Sequence, residues 1–382
     1  MEKLAIGIMS GTSLDGIDVA LAKIEGVDLT TKLTPIAFKT YSIEHPLVEK
    51  IQRAMDPKMS SSELLCSLNV ELAFAFSNAV IDLCDKNKIR LEEVEFIASH
   101  GQTIFHITNQ DQKFQPSSLQ LGDGSVISQL TKTTVVSNFR NADIARGGQG
   151  APLVPFADYL LFRANHHRSI HNIGGISNFT FIKKQAKIEE VVAFDTGPGN
   201  MMIDEAMRFL YHRPYDDKGD IARSGKRIKE LADDILLDAF FELSPPKSTG
   251  RERFGKIQTH TWIKPYAHHP KEDIIHTLTY VTAKSIADAY QRFILPTYPL
   301  EEIVFCGGGA QNAYLITLIN ELLPNIEINH IESLGYRSDS KEALAFIILG
   351  NQTLHKKPSN CPSATGAQGP AILGQVSFYH HP

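Results

Sequence analysis

Three glycine-rich segments contain residue types suited to handling phosphate groups. The first runs from residue 11 to residue 18 and spaces its two glycines as a P-loop does, but it lacks the Lys-Ser/Thr pair and continues as a strand. Its backbone N–H groups, with the Ser10 hydroxyl and two more in the segment, could bind phosphate oxygens. We therefore predict a phosphate-binding hairpin formed by Gly11, Thr12, Ser13, Leu14, Asp15, Gly16, Ile17 and Asp18. The alternative is a polar turn without a ligand.

The second segment places an acid between a strand and a helix. Asp195 follows the predicted strand 189–194, and Gly197, Gly199 and Asn200 lead into a helix predicted from about Met201. Ligands and anions gather at strand ends and helix N-termini in open α/β sheets. A carboxylate at a phosphoryl-transfer site can take a proton from the nucleophile, so Asp195 is the candidate general base. The alternative is an Asx-turn that merely ends the strand.

The third segment contains three consecutive glycines, Gly307, Gly308 and Gly309, between a predicted strand at 303–306 and a predicted helix at 313–323. It approximates GxGxxG but ends in Asn and lies late in the chain, which disfavours a dinucleotide site. Glycines let a nucleoside approach the backbone closely, so we predict a nucleoside loop. An ordinary strand-to-helix turn is the alternative.

Other polar groups are less specific. The segment 100–103 follows a strand predicted at 94–99, and the segment 138–141 contains Arg140. Their polar groups could bind sugar hydroxyls, and an Arg can fork onto a carboxylate or phosphate, whereas the alternative is that both segments are structural. The paired histidines lack metal-ligand spacing, so we predict no zinc site. Acyl transfer is unsupported because no GxSxG elbow is present and Cys306 has no evident activating partner.

The elements that must position these residues alternate between strands and helices. We predict helices at 61–86 and 274–293, and an opening hairpin of strands 4–9 and 17–24. A related layout recurs at 169–183 around Gly174 and Gly175, which indicates a weak internal repeat. The order favours an α/β fold with a mixed or largely parallel sheet.

The length of 382 residues indicates two domains with a cleft between them. We place the first at residues 1–140 and the second at 141–370, with 371–382 as a segment that could return to the first.

Composition narrows the classes of partner. The net charge of −5 comes from interspersed residues, so the chain shows no footprint for nucleic acid or an anionic membrane. The four scattered cysteines indicate reduced thiols, and we find no signal segment or membrane-length apolar run. We expect a cytoplasmic enzyme acting on small molecules.

Together the motifs closely resemble the anhydro-N-acetylmuramic acid kinase family. The resemblance rests on segments from position 6 to position 347: IGIMSGTSLDGIDVAL, SHGQT, NFRNADIARGGQGAPLVP, NIGGISN, FDTGPGN, KSTGRERFG, FCGGGAQN and KEALAF. It implies two domains with duplicated ribonuclease-H-like cores, of the actin, sugar kinase and heat-shock ATPase superfold, around an interdomain cleft. It also implies a homodimer that uses ATP with Mg²⁺ and acts in peptidoglycan recycling and amino sugar catabolism.

The resemblance also implies residue roles. Residues 11–18 would bind the ATP phosphates, Asp195 would be the catalytic base, and the 305–312 segment would face the nucleoside. The sugar side would comprise Gln102, Thr103, Arg140 and Glu342. The segment 247–255 matches the family without an assigned role, and the Mg²⁺ ligands stay open.

A 1,6-anhydro sugar has no free 6-hydroxyl, so we expect water to attack the anomeric carbon while the released O6 accepts the γ-phosphoryl group. Two alternatives stay open: a levoglucosan-type anhydro sugar kinase, and an ATP-driven switch of the actin or heat-shock type. The switch would need a partner surface or a further domain.

Overall fold

Two mixed β-sheets with the same strand order organise the chain in the computed structural model, which describes residues 2–11, 14, 16–107 and 113–380. The strands are β1 (Lys3–Ser10), β2 (Ile17–Glu25), β3 (Lys32–Tyr41), β4 (Val94–Ile107), β5 (Ser117–Leu121), β6 (Thr134–Ser137), β7 (Arg168–Ile173), β8 (Ile176–Ile182), β9 (Val192–Pro198), β10 (Glu302–Cys306), β11 (Glu327–His330) and β12 (Gln375–Ser377).

Helices flank both sheets, and short 3₁₀ turns join several elements. The helices are α1 (His45–Met55), α2 (Ser62–Lys86), α3 (Gly124–Thr131), α4 (Asn141–Ala145), α5 (Val154–Phe162), α6 (Met201–Tyr211), α7 (Asp220–Ser224), α8 (Lys229–Leu236), α9 (Arg251–Phe254), α10 (Lys256–Ile263), α11 (Lys271–Phe293), α12 (Ala313–Leu322), α13 (Lys341–Leu354) and α14 (Pro362–Thr365).

The chain divides into a first unit, Met1–Leu161 with Asp339–Pro382, and a second unit, Phe162–Ser338. The sheet of the first unit has the order β12-β6-β4-β1-β2-β3, with β5 paired to β4. The strands β1, β2 and β3 pair antiparallel, whereas β4 lies parallel to β1 and β6 parallel to β4.

The second unit repeats this topology in the order β11-β10-β7-β8-β9. Antiparallel pairs join β7, β8 and β9, and parallel pairs join β7 to β10 and β10 to β11. The predicted internal repeat is thus confirmed at the level of strand order and direction. Each unit carries a ribonuclease-H-like α/β core, which confirms the predicted fold class.

The longest helix of the first unit, α2, is a core element. It begins after Ser61, whose hydroxyl accepts a hydrogen bond from the Leu64 N–H as an N-cap. Of the part of the chain that the structure describes, this is the one helix long and apolar enough to cross a membrane. Its apolar face instead packs into the core of the first unit, with Leu72, Phe76 and Val80 fully buried.

The first unit is completed by a segment that returns from the far end of the chain. Helix α13 lies across the sheet so closely that a Cβ on Gly7 would fall 1.8 Å from the Ala343 carbonyl oxygen. Strand β12 pairs with β6, so the end of the chain also returns. The predicted boundaries at 140/141 and 370/371 are therefore wrong. The chain stays in the first unit until Leu161 and rejoins it at Asp339, because α13 buries its apolar side on that unit's sheet.

Most predicted elements lie where the patterns placed them, within a few residues. The exceptions are β4, which extends to Ile107, and β9, which starts at Val192 because residues 188–190 form a 3₁₀ turn. Strand β9 also continues through Asp195, which pairs with Asn178 beside a β-bulge. The acid therefore lies within the strand and not after its end.

Candidate active site

Gln102 on β4 holds the start of the hairpin between β1 and β2 through two hydrogen bonds. Ser10 Oγ donates to Gln102 Oε1 at 2.6 Å, and Gln102 Nε2 donates to the Gly11 carbonyl at 3.2 Å. Gly16 packs so tightly that a Cβ there would lie 2.5 Å from Thr40 Cγ2. Thr12, Ser13 and Asp15 lie outside the described residues, so the hairpin is seen through Gly11, Leu14, Gly16, Ile17 and Asp18.

The hairpin's acid and its neighbours are held in place. Asp18 Oδ1 accepts a hydrogen bond from Thr40 Oγ1 at 2.6 Å. Leu14 adopts a left-handed φ of 59° and donates its N–H to the Gly11 carbonyl at 3.3 Å. The described residues of the turn are thus fixed by one backbone hydrogen bond and one side-chain hydrogen bond.

The sugar-side residues expected from the resemblance have different environments. Gln102 is fully buried and its amide is committed to the hairpin and to the Thr103 carbonyl. Thr103 is partly buried, and its hydroxyl accepts from Gln120 Nε2 at 3.3 Å. The structure therefore places Gln102 as a support of the hairpin.

Arg140 lies at the N-terminus of α4 and makes three contacts with two groups, the His100 ring and the Gly150 carbonyl. Its Nη2 lies 2.8 Å from His100 Nε2, its Nε donates to the same nitrogen at 3.3 Å, and Nη1 donates to the Gly150 carbonyl at 2.7 Å. Burial lowers the pKa of Arg140 to about 10, and the nearby Glu342 carboxylate opposes that shift. The guanidinium stays cationic at neutral pH.

Glu342 stands exposed in the first turn of α13, where a buried ion pair fixes the helix. Lys341 Nζ lies 2.9 Å from an Asp158 carboxylate oxygen, with 8% and 3% of the two side chains exposed. Such a pair is strongly destabilising to break because one charge is left buried and uncompensated. It holds the start of α13, and with it Glu342, on the first unit.

In the second unit, Asp195 is clamped by one segment at two points. Its backbone N–H donates to the Lys247 carbonyl at 3.1 Å, and its carboxylate Oδ2 accepts the Thr249 N–H at 2.9 Å. The Asx-turn alternative is wrong, since the carboxylate bonds to a distant segment. The unassigned motif at 247–255 therefore serves as the support of Asp195.

Burial raises the pKa of Asp195 to about 7, a shift that the Thr249 N–H opposes, Glu252 adds to and Lys247 reduces. A carboxyl that titrates near neutral pH is suited to proton transfer, because the ideal catalytic pKa lies near the working pH. A carboxyl pKa raised by burial, with charged groups close by, is typical of functional sites.

Lys247 itself is set among aromatic rings. Its ammonium lies 4.6 Å from the Phe240 ring centroid, 5.4 Å from that of Phe293 and 5.9 Å from that of Phe194, and Nζ donates to the Phe240 carbonyl at 3.2 Å. Burial lowers the pKa of Lys247 to about 8. Cation–π contacts of this kind fix a cation that is partly desolvated.

The glycine-rich loops of the second unit meet at the β7–β8 turn. The Asn200 N–H donates to the Gly174 carbonyl at 2.8 Å and the Gly199 N–H to the Gly175 carbonyl at 2.9 Å. A Cβ on Gly199 would lie 2.2 Å from the Gly174 oxygen. The loop after β9 can therefore approach the β7–β8 turn only with glycine at position 199.

The third loop joins the same cluster. Gly307 has a φ of 84°, and a Cβ on Gly309 would lie 2.2 Å from Ile173 Cγ2, whereas the nearest atom to a Cβ on Gly308 is Asn200 Nδ2 at 4.0 Å. A 3₁₀ turn follows, and α12 then begins with its own N-cap, Asn312. The predicted Gly199, Asn200 and Gly307 to Gly309 are thus brought together, whereas Gly197 pairs with Ser177 in the sheet and has Phe241 as its nearest neighbour.

The sequence singled out His100 only within the segment 100–103, and it assigned no site role to Lys247 and Thr249, which hold Asp195, or to the Gly174-Gly175 turn, which joins the loops. The turn had a usable signal, since it repeats the layout of the opening hairpin. The other three act through contacts between distant segments, which no local spacing reveals.

Whether the protein could hold a metal ion depends on the side chains that can act as ligands. Across residues 2–11, 14, 16–107 and 113–380, no group of three or more His, Cys, Asp or Glu side chains is placed to hold an ion. Mg²⁺ needs no such cage when it accompanies a nucleotide, because it keeps several waters and binds phosphates with one or two carboxylates. Among the residues of the 11–18 hairpin that the structure describes, Asp18 carries a carboxylate of the kind that such an ion binds.

Comparisons with known proteins identify the family of the chain. The family model for anhydro-N-acetylmuramic acid kinase matches residues 3–379. An anhydro-N-acetylmuramic acid kinase from Francisella tularensis subsp. novicida is 50% identical over 378 residues, covering 99% of each chain. One from Bacillus thuringiensis subsp. konkukian is 46% identical, covering 98% of each chain.

A solved structure, the activator of the 2-hydroxyisocaproyl-CoA dehydratase from Clostridium difficile, overlaps with a TM-score of 0.46 at 11% identity, covering 93% of this chain and 96% of that one. The sequence relatives decide the family. The chain belongs to the anhydro-N-acetylmuramic acid kinase family, whose kinase activity transfers phosphate to a sugar and uses ATP.

Proposed function

We propose that the chain converts 1,6-anhydro-N-acetylmuramic acid, ATP and water into N-acetylmuramic acid 6-phosphate and ADP. The observation that carries the proposal is Asp195, a partly buried carboxyl that the Thr249 N–H holds at 2.9 Å and whose raised pKa of about 7 suits it to accept a proton near neutral pH. The family membership supports the choice of sugar.

The reaction couples ring opening to phosphoryl transfer. Asp195 takes a proton from a water whose oxygen attacks the anomeric carbon, and the bond between that carbon and O6 breaks. The O6 oxygen then bonds to the γ-phosphorus of ATP as the bond between that phosphorus and the β,γ-bridging oxygen breaks, and ADP leaves. The base therefore activates water, since the anhydro sugar offers no 6-hydroxyl.

The glycine loops take the nucleotide in this proposal. The hairpin at 11–18 binds phosphate oxygens, and the 197–200 and 307–309 loops accept the remaining phosphate and nucleoside portions. Bound Mg²⁺ would neutralise charge on the phosphoryl oxygens, which supplies much of the help in such transfers. Asp18, on the hairpin, is the side chain that would hold it.

The sugar is recognised through Arg140, Thr103 and Glu342. The sugar carries a lactyl carboxylate, and Arg140 presents a guanidinium with the fork geometry that pairs with carboxylates. Thr103 and the exposed Glu342 suit hydroxyl or amide groups of the ring. Gln102 acts indirectly, by holding Ser10 and Gly11 in the hairpin.

The water-attack step has a direct test. The reaction run in ¹⁸O-water and analysed within minutes should place the label on the anomeric oxygen and leave O6 unlabelled. A product without label at the anomeric oxygen, once slow exchange of the free sugar has been controlled for, would exclude the step. A parallel ADP-release assay with levoglucosan tests whether the carboxylate-bearing sugar is preferred.

The cellular setting is part of the proposal. The reaction would serve peptidoglycan recycling and amino sugar catabolism in the cytoplasm, where ATP is available and where the four free cysteines would stay reduced. We also propose a homodimer, as the family resemblance implies. Light scattering on the purified chain would measure its mass in solution and decide between monomer and dimer.

A further inference from the structure

His100 is a buried histidine whose ring nitrogens both have fixed partners. Nδ1 lies 2.8 Å from the Gly101 carbonyl, which can only accept, so Nδ1 carries the proton. Nε2 is then a lone-pair acceptor, and Arg140 approaches it with both Nε and Nη2. The partners therefore assign the neutral tautomer.

The imidazole is also held from its face. The Phe346 ring lies 4.9 Å from the His100 ring, centroid to centroid, and the side chain is 3% exposed. Burial and the Arg140 cation lower the pKa of His100 to about 3. The ring is therefore neutral throughout the pH range in which the enzyme would work.

A neutral acceptor has a particular effect on an arginine. A carboxylate in this position would orient the guanidinium equally well but would also cancel its charge at close range. A neutral imidazole fixes the plane of the guanidinium through two N–H groups and leaves the positive charge available. The Gly150 carbonyl, the other hydrogen-bond partner, is neutral as well, and the carboxylate that acts on the guanidinium, Glu342, is itself one of the proposed sugar-binding residues.

We propose that His100 is a positioning residue that orients Arg140 for the carboxylate of the sugar while leaving its charge uncancelled. This makes His100 a determinant of specificity for anionic over neutral anhydro sugars. The inference rests on the proposed role of Arg140 as the carboxylate-binding group.

The test compares two sugars that differ in the carboxylate. Wild type, His100→Leu, His100→Gln and Arg140→Ala are assayed with 1,6-anhydro-N-acetylmuramic acid and with 1,6-anhydro-N-acetylglucosamine, which lacks the lactyl group. If the neutral sugar is not turned over, its inhibition constant against the first sugar replaces its KM. We expect His100→Leu to raise KM for the anionic sugar about tenfold, chiefly without a matching loss in kcat, and to change the neutral sugar less than about threefold.

His100→Gln keeps a neutral acceptor and should recover part of the lost affinity for the anionic sugar. Equal losses on both sugars would overturn the inference, because a purely structural histidine would weaken both alike. If His100→Leu does not fold, His100→Asn, whose shorter amide reaches less far than Gln, provides the same comparison.

Different outcomes would refute the role of Arg140 and the role of His100. If wild type and Arg140→Ala treat the two sugars alike, the proposed carboxylate role of Arg140 fails. If Arg140→Ala loses the preference for the anionic sugar while His100→Leu keeps it, only the role of His100 is refuted.

Discussion

Replacing Asp195 with Asn should make the protein more stable and nearly inactive, with the gain in stability depending on pH. The folded-state pKa of Asp195 is raised from 3.8 to about 7. A carboxyl whose pKa is raised on folding stabilises the folded state in full below pH 3.8. That contribution is lost as the pH rises through about 7. Ionising Asp195 therefore costs the folded state free energy that the neutral amide of the Asp195→Asn variant would not incur.

The shift gives the size of the effect. At 1.36 kcal/mol per pKa unit, the cost approaches about 4 kcal/mol above pH 7 and is about 1.5 to 2 kcal/mol at pH 5. The amide oxygen of the variant can still accept the Thr249 N–H, so little else changes. The gain in unfolding free energy for Asp195→Asn should be about 2 to 3 kcal/mol larger at pH 8 than at pH 5.

Denaturant unfolding at pH 5 and pH 8 measures the stability, and coupled ADP release measures turnover, which should fall roughly 10²- to 10⁴-fold if Asp195 is the base. Asp204 is the matched control, because burial raises its pKa to about 6. Asp204→Asn should gain stability with the same sign of pH dependence and keep its turnover. Equal gains at both pH values would refute the burial argument, and near-normal turnover of Asp195→Asn would refute its role as base.

Three further predictions concern the supports of the site. Lys247→Met removes a cation that favours the Asp195 carboxylate, so the acidic limb of kcat/KM should move above pH 7, whereas Lys247→Arg should leave it in place; an unmoved limb in both variants would mean that the Lys247 charge does not act on Asp195. Gly308→Ala should raise the KM for ATP with little change in the free energy of unfolding, whereas Gly309→Ala, whose Cβ would lie 2.2 Å from Ile173 Cγ2, should lower that free energy. A destabilised Gly308→Ala with an unchanged KM for ATP would exclude Gly308 as the nucleotide-facing glycine. Lys341→Met should cost about 3–5 kcal/mol in denaturant unfolding, and adding Asp158→Leu should recover much of it; no recovery would mean that the ion pair is not the cause.

The sequence predicted well whatever depends on local pattern. The helical period located α2 and α11 to within a few residues, and the two glycine turns predicted the duplicated hairpins. Apolar periodicity and turn chemistry are properties of neighbouring residues, so a single segment reveals them.

What it missed depends on contacts between distant segments. Nothing near Lys247 indicates that its carbonyl accepts the Asp195 N–H, and nothing near His100 indicates an arginine forty positions away. The prediction of the unit boundaries failed for the same reason, because α13 has no local sequence feature that indicates its packing against β1. Pairing of this kind is decided by which surfaces bury one another.

The return of α13 to the first unit has a consequence for biosynthesis. The second unit is one continuous stretch and can fold as soon as it leaves the ribosome, whereas the first unit must wait for α13. Until that helix arrives, the sheet around Gly7 has an uncovered apolar face, the kind of surface that chaperones bind. The nascent chain should therefore depend on holding factors most strongly just before residues 341–354 emerge.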